Sequence, residues 1–510
     1  MASVVKRYAD RYLDSVMLLA ATRAMGEGAG VTWATAVMAT PANVEALVAE
    51  GFDDTTLATA GANDVVLAVR ADDEIHAADA LALGDHALFA TSVVVPRAQS
   101  RSRSLDAALT SMPHANVAIV SVPGPYAAVE AHKALTAGLD VLLFSDNVSV
   151  DEEIELKDHA AVVGHLLMGP GAGTAVLGGC GLGFANVVRR GRVGVVAAAG
   201  TGAQEMMALL DLWGEGVSQV IGVGGRDLSV DVGGRMARMA VRALDHDVDT
   251  EIIVLVSKPP SADVARAVVN EARRAPVVAC LVGLPDGTEV PGAAAVSSSL
   301  EGGAAAVMRL LGRPAPIPHD PWRAMVDETI ARMTKDRTLV RGLFSGGTLC
   351  YEALTLMQPW LGPVWSNTPL DHRYRVPAPA GHHICLDLGE EEHTRGRPHP
   401  MIDPAARIEL LRQIADDADV AVVLLDVVLG YGAHVDPAAQ LAPVCAELVA
   451  SDGPAVVVYV LGTSGDPQDL GHQQQTFRAA GCLVAPTAAR AALAAAAIAA
   501  RRPEIVETAL

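Results

Sequence analysis

One motif occurs twice in this chain of 510 residues, and it constrains the fold more than any other feature. VGVVAAAGTGAQEMMALLD at 193–211 is matched by VRGLFSGGTLCYEALTLM at 340–357: an apolar run, small residues, then G-T-x-x-x-E. Gly200, Thr201 and Glu205 answer Gly347, Thr348 and Glu352, the two glutamates lying 147 residues apart (352 − 205). Self-similarity on this scale marks one building block used twice. Later landmarks keep the order: EIIVLVS is answered by VAVVLL at an offset of 168 (420 − 252), and PVVACLVG by PAVVVYVLG at 178 (454 − 276). The second copy has gained 21 residues (168 − 147) and then 10 more (178 − 168). The gains coincide with its two most polar loops, LDLGEEEHTRGRPHPMID (386–403) and DVVLGYGAHVDP (426–437). Extra loop length in a compact domain is more often functional than idle.

The short apolar runs, among them VAIVSV, LDVLLFS, VGVVAAAG and AVVVYVLG, are continuous rather than alternating. Parallel sheets covered by helices on both faces require that pattern, so the class is α/β. The length corresponds to about three or four domains. Breaks at RAQSRSRSLD, at the glycine-rich GPGAGTAVLGGCGLGFAN and at GRPAPIPHDPW divide the chain near 96, 190 and 315, leaving 1–96 as a small α/β unit of its own. With 51% apolar and 19% charged residues the chain folds rather than staying disordered. Its 38 Lys+Arg against 59 Asp+Glu give −21 with no basic run, which argues against nucleic acid and anionic membranes as partners. Six scattered cysteines without C-x-x-C spacing argue against structural zinc and a disulfide framework and fit a reducing cytoplasm. The charged N-terminus implies no export, and AALAAAAIAA is too short to span a bilayer and reads as a packed helix.

A strand that ends in Gly-Thr and turns straight into a helix presents free N–H groups and the positive end of the helix dipole, which together cradle an anion. Either turn alone is equally well a structural cap. Two at matching points of a duplicated fold can aim two helix N-termini into one cleft, which makes Gly200, Thr201, Gly202, Gly346, Gly347 and Thr348 candidates for binding a phosphate. In VIGVGGRDLSVDVGG, Gly224, Gly225 and Arg226 suit a carboxylate or phosphate, unless Arg226 and Asp227 are a surface pair on a tight turn. HTRGRPHP sets His393, Arg395, Arg397 and His399 beside Glu390, Glu391 and Glu392. Arg395 and Arg397 can clamp a small anion and His399 can move a proton; a solvated loop and a metal site are the competing readings. Asp426 ends a strand at the edge where α/β folds place ligands, with His434 and Asp436 following on a loop that also reads as a plain turn and cap. Cys350 lies in the first helical turn, where the dipole favours a thiolate, although core packing is the commoner fate of such a cysteine. The glycine-rich tract is either a phosphate loop or an interdomain crossing, and it lacks the G-K-[ST] of an ATP loop.

These residues carry a resemblance. MGPGAGT, GRVGVVAAAGTGAQE and VIGVGG, over about 110–310, look like the α-subunit of succinyl-CoA synthetase and its nucleoside-diphosphate-forming relatives. Over nearly the whole chain, ATPANVEAL, VPGPYAAVEAHKAL, GLFSGGTLCYEA, TRGRPHPMID and LLDVVLGYGAHVDP resemble the FdrA family of acyl-CoA-synthetase-like proteins. The resemblance implies a Rossmann-like CoA-binding-type domain at 97–190 and two flavodoxin-type, ligase-like domains at 191–315 and 316–510. One departure matters: ligases of this type pass phosphate through a His in a Gly-His-Ala-Gly loop, and here the matching VPGAAAV has Gly292. A phosphohistidine relay is therefore unavailable there, and no ATP-grasp domain is evident.

The FdrA resemblance implies a component of oxamate carbamoyltransferase in anaerobic allantoin catabolism, working with partner subunits or as a homo-oligomer. The reaction interconverts oxalurate plus phosphate and oxamate plus carbamoyl phosphate; the sequence itself calls for no cofactor and singles out no metal ligands, with phosphate or carbamoyl phosphate entering as substrate. Carbamoyl transfer needs cradles for a phosphate and a carboxylate, donors for an oxyanion, and an acid/base at the amide nitrogen. On this reading the two Gly-Thr turns take phosphate, Arg395 and Arg397 take the carboxylate, and His399 or Asp426 takes the proton. A CoA-binding or ligase-like protein and a non-catalytic assembly subunit are the alternatives.

Overall fold

Continuous apolar runs become parallel strands because a strand covered by helices on both faces has no solvent side on which to place polar residues. The computed structural model describes residues 2–9, 11, 13, 15–52, 55–89, 102, 104–258, 260–285, 287–315, 320–394, 397–450 and 453–510. The chain separates into one unit of 1–103 with 391–398 and a second of 104–390 with 399–510.

The first unit holds a three-stranded antiparallel sheet of β1 (Ala2–Tyr8), β2 (Val31–Met38) and β3 (Val65–Ala71), in the order β1-β3-β2. Central β3 is apolar on both faces. Val65, Leu67 and Val69 join the core under helices Ser15–Gly26 and Glu74–Phe89, while Val66 and Ala68 face Leu47, Phe52 and Leu57.

The second unit opens with parallel β4 (Val117–Val120), β5 (Asp140–Leu143) and β6 (Leu167–Met168). The glycine-rich tract then forms a hairpin of β7 (Thr174–Leu177) and β8 (Cys180–Gly183). It is not a simple crossing: β7 pairs with β10 and so extends the next sheet, which crosses the sequence division near 190. That sheet contains β9 (Arg190–Ala198), β10 (Val217–Gly222), β11 (Ile252–Ser257), β12 (Val277–Leu281) and β13 (Ala295–Ser297), in the order β13-β12-β11-β9-β10-β7-β8.

The last sheet contains β14 (Leu339–Phe344), β15 (Val364–Trp365), β16 (His383–Asp387), β17 (Val420–Val428), β18 (Ala455–Leu461) and β19 (Leu483–Ala485). Its order is β15-β16-β14-β17-β18-β19. The run β10-β9-β11-β12-β13 thus matches β16-β14-β17-β18-β19 strand for strand, each in the flavodoxin-like 2-1-3-4-5 order. The internal repeat is a structural one, and one apolar cluster runs through both copies.

Two buried glutamates join the copies crosswise. Glu205, on helix Gly200–Leu212, accepts from the Tyr459 hydroxyl at 2.6 Å and from the Ala488 N–H at 3.4 Å, the first residue of helix Ala488–Ala500 in the second copy. Glu352, on helix Gly347–Leu361, accepts at 2.6 Å from the N–H of Leu300, the first residue of helix Leu300–Leu310 in the first copy. Each repeat motif therefore satisfies an orphan donor at the start of the other copy's last helix. The alanine-rich helix Ala488–Ala500 is buried along nearly its whole length, its methyl-sized side chains allowing close approach to its neighbours.

Candidate functional site

The two Gly-Thr turns meet. Strands β9 and β14 run out into helices Gly200–Leu212 and Gly347–Leu361, and neither N-terminus has a side-chain cap. The Thr348 N–H donates to Thr201 Oγ1 at 3.2 Å. Glycine is needed for this approach: a Cβ at Gly202 would come within 3.0 Å of Thr348 Cγ2, and one at Gly346 within 2.9 Å of Thr201 Cγ2. Thr201, Gly202, Thr348 and Gly346 are consequently buried in the junction, whereas Gly200 is exposed and Gly347 half-buried, so the open side of the cleft is glycine backbone. Two positive helix ends converge there.

Lys258 adds a third positive group. It follows β11, and its ammonium would lie 2.7 Å from a Cβ at Gly347. Among the described residues its carboxylate partner is Asp387 at the end of β16, at 4.0 Å. An ammonium placed beside two helix N-termini is favoured only when an anion accompanies it. Asp387 is buried; burial lifts its carboxyl to about 6 against the pull of Lys258. Its Oδ1 accepts the Gly389 N–H at 3.0 Å, and its backbone is clamped by Asn367, whose Nδ2 donates to the Asp387 carbonyl and whose Oδ1 accepts the Asp387 N–H. Neither Lys258 nor Asp387 stands out in the sequence. The repeat offset of 168 contained the signal, because it sets Lys258 at the place of Asp426 (426 − 258).

Asp426 does reach this edge, but as an anchor. Its carboxylate accepts the Ser345 N–H at 2.7 Å, the Ser345 hydroxyl at 2.9 Å and the Gly346 N–H at 2.7 Å, and it faces the buried Arg407 at 3.5 Å. It thereby consumes the Gly346 N–H that the sequence offered to phosphate. Burial raises its pKa against those partners. His399 is also close: a Cβ at Gly389 would meet His399 Nε2 at 2.7 Å, the Ser345 carbonyl at 3.0 Å and Asp387 Oδ1 at 3.2 Å. The His399 Nδ1 accepts the Met401 N–H at 3.2 Å, and burial together with the Arg407 charge lowers the imidazole to about 4. At neutral pH His399 is an uncharged donor through Nε2.

Other candidates are already committed, are buried in structural roles, or belong to the first unit. Arg226 donates to Glu153 Oε2 at 2.8 Å and to the Val148 carbonyl at 2.7 Å, so its guanidinium is taken, while Gly225 is exposed beside it. Asp227 is no surface partner either: it is fully buried, 2.7 Å from Lys157. Arg397 and His393 belong to the first unit, and Arg395 lies outside the described residues. The Nδ1 of buried His434 accepts the Asp436 N–H at 3.0 Å, which builds the turn. Burial drives the Cys350 thiol well above its ordinary pKa, opposite to the dipole argument. At Gly292 the backbone has φ +99° and a Cβ would meet Asn270 Oδ1 at 2.6 Å, so a histidine cannot be seated there without rearrangement. Among the described residues no group of three or more His, Cys, Asp or Glu is placed to hold a metal ion, and no helix is long and apolar enough to cross a membrane.

Comparison with known proteins supports this architecture. Three family models match: "CoA-ligase" over residues 343–498, "CoA binding domain" over 188–282, and "AllF, heavy metal-associated domain" over 1–103. Residues 1–103 contain no cysteine, so the last match concerns the domain and not a thiolate metal site. The chain is 37% identical over 500 residues to "Uncharacterized protein YahF" of Escherichia coli K12, covering 94% of this chain and 96% of that protein. It is 27% identical to the succinate–CoA ligase [ADP-forming] subunit alpha of Aquifex aeolicus, over 43% of this chain and 74% of the subunit. Among solved structures, PH0766 from Pyrococcus horikoshii OT3 aligns with 76% of this chain and 85% of its own at a TM-score of 0.27 and 14% identity.

Proposed function

The chain belongs to the same family as Escherichia coli YahF, an acyl-CoA-synthetase-like family with CoA-binding and CoA-ligase domains, and from that premise we propose that it is a component of an oxamate carbamoyltransferase. The observation that carries the reading is the junction of the two Gly-Thr turns under Lys258, an anion grip, in a chain that has glycine rather than histidine at position 292. A scaffold that grips phosphate without relaying it through a side chain suits direct transfer of a carbamoyl group between an amide nitrogen and phosphate. The FdrA resemblance and the AllF domain at 1–103 point to the same allantoin-derived chemistry.

Phosphate enters between Gly200 and Gly347, with the two helix N-termini and Lys258 neutralising its charge. The buried Asp426 and Arg407 hold the Ser345-Gly346 turn rigid, which fixes the grip before substrate arrives.

The second reading is a CoA-binding, ligase-like protein, favoured by the CoA-ligase and CoA-binding matches. One experiment separates the two. The chain, assembled with its partner subunits, is supplied with oxalurate and phosphate, and carbamoyl phosphate is measured with and without CoA and nucleotide. Carbamoyl phosphate formed without either supports the transferase. Formation of a CoA thioester with nucleotide cleavage, and no carbamoyl phosphate, refutes it.

A further inference from the structure

Carbamoyl transfer from oxalurate to phosphate moves one proton. The oxygen of hydrogen phosphate attacks the carbamoyl carbon, a C–O bond forms, and the C–N bond to the oxamate nitrogen breaks. Hydrogen phosphate must lose its proton to become carbamoyl phosphate, and the departing nitrogen must gain one to become the oxamate amide. Charge and atoms balance with no other reactant, so a single group that first accepts and then donates is sufficient.

Of the acid–base groups Asp426, His399 and Asp387 at the cleft, two are spoken for. The Asp426 carboxylate spends its oxygens on Ser345, Gly346 and Arg407. His399 has its one acceptor nitrogen occupied by the Met401 N–H, which leaves it a donor only. Asp387 differs: Oδ1 is oriented by the Gly389 N–H, while Oδ2 turns toward Lys258 and overlies Gly347, where an added Cβ would collide with it. That oxygen points at the place where the phosphate reading puts the ligand.

On that reading, we propose that Asp387 carries the proton of this reaction, taking it from the incoming phosphate and returning it to the leaving amide nitrogen, while Lys258 holds the oxyanion beside it. The surroundings tune the carboxyl for both halves of the task. Lys258 at the end of β11 favours its ionised form; burial, Glu390 on its own loop and Asp426 from β17 favour its protonated form, and the outcome lies near 6, close to a working pH. His399 is uncharged beside it and adds no net charge.

The test uses the chain assembled with its partner subunits, following carbamoyl phosphate formation from oxalurate and phosphate against pH. In the wild type, kcat/KM rises with pH through about 6, because the ionised carboxylate must accept the first proton. Asp387→Asn is expected to lower kcat by about 100-fold or more with the KM for phosphate changed only a few-fold, and Asp387→Glu to restore part of the loss. Lys258→Met is expected to raise the phosphate KM about tenfold and to move the acid limb to higher pH, since the positive neighbour that favours ionisation is gone. A merely structural role would leave that limb in place, so the Lys258 variant decides the matter even when the Asn variant folds poorly. Wild-type turnover with Asp387→Asn at full kcat, or an acid limb unmoved in Lys258→Met, overturns the assignment and leaves the transferase reading standing. A wild-type complex that forms no carbamoyl phosphate overturns that reading and the assignment with it.

Discussion

Glu352→Gln should make the protein more resistant to alkaline loss of stability. The side chain is wholly buried; its Oε1 accepts the Leu300 N–H, and its Oε2 has no hydrogen-bond partner. Burial, with Glu205 and Glu301 nearby, pushes its pKa from 4.5 to about 8. Below pH 4.5 the carboxyl is protonated in both folded and unfolded chains and has no effect on the balance between them. Above that, the unfolded chain releases the proton while the folded chain retains it, so stability falls by about 1.4 kcal/mol per pH unit until the folded group also ionises near 8. The loss over the interval is on the order of 5 kcal/mol. Gln has the same shape, keeps an acceptor for Leu300 and cannot ionise. Urea unfolding followed by circular dichroism at pH 5, 6, 7 and 8 should show the variant gaining on the wild type steadily across the series. Parallel pH dependences in the two proteins would refute the argument and mean that Glu352 is ionised in the fold, with a counter-charge supplied from elsewhere.

Gly347→Ala should raise the phosphate KM of the assembled enzyme by about tenfold or more, since its methyl group would occupy the space beside Lys258 Nζ and Asp387 Oδ2; an unchanged KM would place the anion elsewhere. Arg226→Ala should lower stability by about 1–2 kcal/mol by removing a hydrogen-bonded charge from buried Glu153. A higher phosphate KM at unchanged stability would instead return Arg226 to the anion-holding role.

The repeat, its strands and the turns that begin its helices were legible because each is a local pattern: an apolar run, glycine, then helical spacing. The meeting of the turns was legible only as a possibility of symmetry, since it rests on a Thr201 hydroxyl and a Thr348 N–H separated by 147 residues. Asp426 resembled a free acid at a strand end because nothing in one sequence reveals that Ser345 and Gly346 fold their amides onto it. Arg226 looked like an anion holder for the same reason: its partner, Glu153, sits on helix Val150–Val163 in an earlier part of the chain. Lys258 and Asp387 escaped notice as single polar residues at the ends of apolar strands. A lone charge at such a point acquires meaning only when the sheet order brings its edge to another. Glu205 and Glu352 were visible as motif letters, whereas their reach into the opposite copy was not.

That exchange of amide partners has an evolutionary consequence. A gene break anywhere between the copies would yield two proteins, each with a final helix lacking the acceptor for its first amide and a buried carboxyl lacking its donor. The halves could persist only as obligate mates. The covalent join therefore fixes a one-to-one ratio that separate subunits would have to secure by affinity, and it guarantees that Lys258 of one copy always meets the copy that has Asp426 at the corresponding position.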